Sequence, residues 1–135
     1  MSERSASMIV VDTSVWIAAP RQRFVASALS SLIEADEVTL ALPVRLELWM
    51  GTAKQDRARF RRLYGALPQL HPTEDTWATL PEWIERASDA GERFGLPDLL
   101  IASMANEIGG LVWSLDQDFQ RMERLKLVSL YELPH

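Results

Sequence analysis

Met8-Ile9-Val10-Val11-Asp12-Thr13-Ser14-Val15-Trp16-Ile17 decides the reading of the fold. Its first four residues form an apolar, largely β-branched run, the pattern of a strand covered on both faces. The run stops at a carboxylate and two hydroxyl side chains, residue types that cap helices. Val15 to Ala19 then read as a short helix closed by Pro20. The alternation continues along the chain. Val25, Ala28, Leu29 and Leu32 fall at helical spacing between Arg21 and Ala35, and Val38 to Ala41 read as a second strand. Pro43 opens a third helix that runs to about Met50. Lys54 to Leu67 predict a fourth, with Phe60, Leu63, Tyr64 and Leu67 as its apolar stripe, and a short extended piece lies between Pro68 and Pro72. Trp77, Leu80, Ile84, Ala87, Gly91 and Phe94 predict a long amphipathic stretch. Pro81 interrupts it, and Thr79 and Glu82 have capping-box spacing, so two helices are allowed there. Pro97-Asp98 opens the next helix, which Gly109-Gly110 ends. Leu111 to Leu115 is a buried strand, Asp116 to Lys126 a final helix and Leu127 to Leu130 a last strand. Strands alternating with helices predict an α/β fold with a mainly parallel central sheet.

The 135 residues suit one domain, expected over residues 8–135 with residues 1–7 as a loose leader. The chain has no cysteine, which excludes a disulfide scaffold, a thiolate zinc site and a cysteine nucleophile, and fits a cytoplasmic protein. The apolar run after the leader ends at Asp12, too short for a signal peptide, and no stretch approaches the roughly 18 apolar residues of a membrane helix. The net charge of −5 excludes attraction to nucleic acid by bulk charge. Contact with RNA or DNA would need a local patch or metal ions.

Four carboxylates stand where apolar residues are expected. Asp12 and Asp116 end apolar strands, where a ligand of a parallel sheet binds and where a helix cap also sits. Glu47 has Pro43, Val44, Met50 and Gly51 as its helical neighbours. On that apolar face it needs a cation, a rim position or a partner such as Arg45. Asp98 shares a helical face with Ile101, Ala102, Ala105 and Ile108, and it also suits the first turn of a helix by its charge. Asp118 lies at a helix start, where acids are common. If such acids converged without a cation, their repulsion would raise their pKa values. An all-oxygen cluster favours Mg²⁺ or Mn²⁺ over zinc or copper, and carboxylate-bound divalent ions hydrolyse phosphodiesters.

Four segments in order resemble the PIN domain, in particular the compact toxins of VapBC-type toxin–antitoxin pairs, over about Met8 to Leu130. Ile9 to Ile17 looks like the family's opening strand and first acid. Pro43 to Gly51 looks like its E-L-x-x-G helix, Gly95 to Ala102 its D-x-L-I-A helix, and Leu111 to Phe119 its T-x-D-x-D-F strand end. The resemblance implies a three-layer α/β/α domain in which Asp12, Glu47, Asp98 and Asp116 converge as a catalytic metal site. It implies Asp118 as an auxiliary ligand, and Ser14 and Ser114 as groups that orient ligands or water. The implied activity is Mg²⁺-dependent endoribonuclease cleavage, with Mn²⁺ able to substitute. The implied partners are an RNA substrate, a cognate antitoxin that covers the acidic site, and a second copy in a homodimer or hetero-oligomer. Trp113 is bulkier than the family pattern expects.

Charge is unevenly spread. Residues 54–62 carry a local +4 within the total of −5, and Lys54, Arg57 and Arg61 fall on one helical stripe, either RNA contacts or a solvated face. Residues 74–93 hold six acids against two bases and should face water or a basic partner. Trp83, off the apolar rhythm of its segment, is the candidate interface residue. His71 and His135 lie outside the motifs and carry no role. A phosphatase with a phosphorylated aspartate would want a second Asp two residues after Asp12, where Ser14 stands. A phospho-accepting receiver would want a late lysine after a strand, which Lys126 does not supply. The remaining alternative is a catalytically silent PIN-like binding or assembly module.

Overall fold

The computed structural model describes residues 8–133, so the expected leader at residues 1–7 and His135 lie outside the described residues. Four strands, β1 (Ile9–Val11), β2 (Val38–Ala41), β3 (Gln69–Leu70) and β4 (Leu111–Trp113), form one sheet in the order β3-β2-β1-β4. All three pairings are parallel. Seven α-helices flank the sheet among the described residues: α1 (Thr13–Ala18), α2 (Arg23–Glu34), α3 (Leu42–Met50), α4 (Arg57–Gly65), α5 (Glu74–Asp89), α6 (Leu96–Glu107) and α7 (Gln117–Arg124).

Side-chain alternation along β1 divides the core into two layers. Ile9 and Val11 pack with Val15, Val25, Leu29 and Leu32 of α1 and α2. Val10 faces the opposite side, with Leu80, Trp83 and Ala87 of α5 and Leu99 to Ala102 of α6. Central β1 is therefore apolar throughout because both its faces are covered, which is the three-layer α/β/α arrangement. Its first polar residue, Asp12, falls where the strand leaves cover.

Three expectations need correction. The last strand over Leu127 to Leu130 is not formed. A single bridge, Val112 to Leu130, joins this segment to β4. Leu127 and Val128 are both buried, so the segment plugs the core as a turn rather than alternating as a strand. Trp83 is not an interface residue: it is 5% exposed, whereas Trp77 is 52% exposed. The buried stripe of α5 is Thr76, Leu80, Trp83 and Ala87, one register away from a stripe anchored on Trp77. A reciprocal cap between Thr73 and Thr76 starts the helix upstream of the expected Thr79–Glu82 box. Pro81 stays inside one continuous helix on its exposed side, where water can satisfy the carbonyl it leaves free. Trp83→Ala is expected to cost about 3–5 kcal/mol and Trp77→Ala less than about 1 kcal/mol. Urea unfolding of the two variants checks this, and equal midpoints would refute the burial assignment.

Candidate active site

The site follows from strand register. Val11 pairs with Trp113, so the next residues, Asp12 and Ser114, emerge side by side at the carboxyl edge of the sheet. The Asp12 backbone N–H donates to the Trp113 carbonyl at 2.9 Å. Asp12 is the N-cap of α1, and only 5% of it is exposed. Its Oδ2 accepts from Ser14 Oγ at 2.7 Å and from Ser114 Oγ at 2.8 Å. The two hydroxyls accept in turn from the backbone N–H groups of Leu115 and Asp116, each at 3.0 Å. This network locks the carboxylate on one oxygen. Among the described residues no donor reaches Oδ1, and that oxygen is not sealed from solvent.

Three further acids gather on neighbouring elements. Asp98 sits half-buried in the first turn of α6, where Pro97 needs no N–H partner. Asp116 is the N-cap of α7, and its Oδ1 accepts from the Asp118 backbone N–H at 2.9 Å. One oxygen each from Asp98, Asp116 and Asp118 lies within 4.8 Å of the others. Asp12 and Glu47 stand outside that triangle but still act on it. Burial, and then the charges of Asp12, Asp116, Asp118 and Glu47, push the Asp98 carboxyl up to about 7 from its ordinary 3.8. Glu47 is exposed on α3 and accepts from Thr13 Oγ1 at 2.7 Å rather than pairing with Arg45, which donates to Gln69.

The five sequence-derived acids thus share one electrostatic neighbourhood, and Asp118 belongs to its tightest part. The donor chemistry fits a hard divalent cation: the set is all oxygen, Asp12 Oδ1 is left without a protein donor, and nearby positive charge would favour the ionised form of Asp98. Ser14 and Ser114 touch Asp12, as described. Lys54, Arg57 and Arg61 are not part of the cluster. Lys54 lies in a 3₁₀ turn, whereas Arg57 and Arg61 stack over the ring of Trp49. Sequence reading missed Thr13 and Arg121. Arg121 binds both Asp118 and Glu92 and lies over the Phe94 ring at 4.8 Å. Its spacing of three from Asp118 on a helix was the available signal.

A parallel three-layer sheet that gathers carboxylates at its carboxyl edge defines a class of α/β domain with an acidic site at its strand ends. Within that class the chain belongs to the PIN domain family, whose family model matches residues 9–125. No curated protein matches the sequence. Its fold is similar to that of VapBC2 from Rickettsia felis bound to a promoter DNA fragment. The TM-score is 0.77 and the identity 17%, covering 94% of this chain and 99% of that one. It is similar to VapBC-1 from nontypeable Haemophilus influenzae, with a TM-score of 0.75, 20% identity, and 93% and 97% of the two chains covered. It is also similar to Mycobacterium tuberculosis VapC20, described as a sarcin–ricin loop cleaving toxin. There the TM-score is 0.59 and the identity 20%, over 84% of this chain and 93% of that one.

Proposed function

We propose that this chain is the toxin of a toxin–antitoxin pair and acts as a Mg²⁺-dependent endoribonuclease, with Mn²⁺ able to substitute. The observation that carries the reading is the triangle of Asp98, Asp116 and Asp118, with an Asp98 carboxyl that titrates at about 7. Such crowding destabilises the chain unless a cation sits among the oxygens. Asp12 through Oδ1, Asp98, Asp116 and Asp118 would hold it, with Glu47 at the mouth. When bound, the ion supplies charge stabilisation to a phosphodiester and lowers the pKa of an attacking water. Ser14 and Ser114 fix the Asp12 carboxylate, so it needs no reorganisation on binding. Arg121 holds Asp118 and offsets part of the cluster's negative charge. No side chain in the cluster is a nucleophile of the thiol or imidazole type, which suits attack by water.

The VapBC relatives support an antitoxin partner. The apolar cleft lined by Trp16, Ile33, Leu63, Tyr64 and Leu67 suits a docked segment, with Phe24 and Leu63 64% and 55% exposed on the same helices. The groove of Met50, Trp77 and Leu96 beside Glu47 suits a second copy of the chain. No helix among the described residues is long and apolar enough to cross a membrane, and the expected compartment is the cytoplasm. The test is incubation of purified, antitoxin-free protein with total cellular RNA in Mg²⁺, Mn²⁺ or EDTA. Discrete fragments that need metal are expected. No cleavage by folded protein under any metal would favour the silent binding module.

A further inference from the structure

The aromatic and cationic groups between α3 and α4 are not used by the acidic cluster. Leu42, Arg45, Leu46, Trp49, Phe60 and Arg61 line a cleft of about 320 Å³, within the size range of small-ligand sites. Its floor is apolar. Trp49 packs edge-on against buried Phe60, with ring centroids 5.0 Å apart. Its rim is cationic. The Arg61 and Arg57 guanidinium carbons lie 5.3 and 5.8 Å from the Trp49 ring centroid. Among the described residues neither arginine has a carboxylate within salt-bridge distance. Both sit in the segment whose local charge is +4. Stacking on Trp49 holds the guanidinium groups in place before any ligand arrives, which lowers the entropy lost on binding. An apolar ring floor beside unpaired, oriented arginines is the chemistry that takes a base on its face and the adjoining phosphate on its charge.

The cleft also has a useful position. Trp49 follows Glu47 by two residues on α3, so the cleft and the mouth of the acid cluster lie on different sides of one helix, about 10–12 Å across. We propose that this α3–α4 cleft is a nucleotide-binding subsite that holds one unpaired base and its phosphate from the single-stranded stretch being cleaved. Trp49, supported from beneath by buried Phe60, is the platform, Arg61 and Arg57 swing from its ring to the phosphate, and Arg45 forms the inner edge. The inference rests on the ribonuclease reading and locates the binding affinity that an acidic nuclease otherwise lacks. The residues outside 54–62 carry a formal net charge of −9, which disfavours RNA.

The experiment measures fluorescence anisotropy of a labelled, mixed-sequence single-stranded oligoribonucleotide across a salt series in Mg²⁺. The protein carries Asp98→Asn so that the RNA stays intact, and wild-type cleavage is assayed in parallel. Arg57→Gln and Arg61→Gln should each reduce the slope of log affinity against log salt by about 0.7. Trp49→Leu should weaken binding roughly tenfold at every salt concentration, and Trp49→Phe should restore most of it. Arg23→Gln, which removes an exposed charge from α2, should change neither quantity. RNA affinity and salt slope equal to the parent in all α3–α4 variants would overturn the subsite while leaving cleavage intact. Absence of measurable binding by the parent would also overturn it, and wild-type cleavage in the same preparation shows whether the nuclease reading falls too. Variants that change sedimentation but not RNA affinity would assign the cleft to a protein partner and overturn the proposal.

Discussion

Asp98→Asn is expected to abolish metal-dependent RNA cleavage, by about a thousandfold or more, while raising the stability of the metal-free protein at neutral pH. The two effects share a cause. Asp98 is half-buried in a cluster of four other acids, so its ionised form is unfavourable until a cation arrives. Asparagine keeps the size of the side chain and removes the charge. The metal loses an anionic ligand, and the metal-free site loses its repulsion. A cleavage assay and a melting curve on the same preparation check both halves. Retained cleavage would refute the assignment of the site. Loss of the native fold would give Asp98 a structural role instead.

That double expectation was only partly legible in the sequence. The acids were visible because each breaks an apolar pattern: Asp12 after Ile9-Val10-Val11, Glu47 and Asp98 on apolar helix faces, and Asp116 after Leu111 to Leu115. Their meeting was not visible, because tens of residues separate them and spacing alone carries no distance. The resemblance to the PIN family supplied that step, and the parallel register of β1 and β4 supplies its physical reason for Asp12 and Ser114. Arg121 was missed because its two anchors, Asp118 and Glu92, lie on different elements, and only one is at helical spacing.

The fold was legible where patterns were long. The three longer strands and the helix order follow from β-branched runs, Pro and Gly positions and apolar stripes. Errors came where one strong residue misled the phase. Trp77 heads the apolar rhythm of α5 in the sequence, yet the helix packs with Thr76, Leu80, Trp83 and Ala87 inside and Trp77 outside. Leu63 shares the α4 stripe by spacing and is 55% exposed, whereas Phe60 of the same helix is buried. Propensity sets that a helix forms, whereas its rotation is settled by what it packs against.

The stability of the metal-free protein is expected to fall as pH rises from 3.8 through about 7, and added Mg²⁺ or Mn²⁺ should restore it increasingly over the same window. The sign follows from proton counting. The Asp98 carboxyl binds its proton more tightly in the folded chain than in the unfolded one, so between those two values the folded state carries the extra proton. Raising the pH then favours unfolding. Below the window both states are protonated and the contribution is flat. Above it both are ionised and the folded state bears the full repulsion. A divalent cation binds the ionised form, so it competes with that proton, and its apparent affinity should rise with pH up to about 7 and level off beyond. Other carboxylates titrate as well, so the informative quantity is the melting temperature of wild type minus that of Asp98→Asn, with and without metal. That difference should turn negative as pH rises in EDTA and reverse with Mn²⁺. A difference that is flat in pH and indifferent to metal would mean that the Asp98 charge is not held among the other acids and that no cation is drawn there.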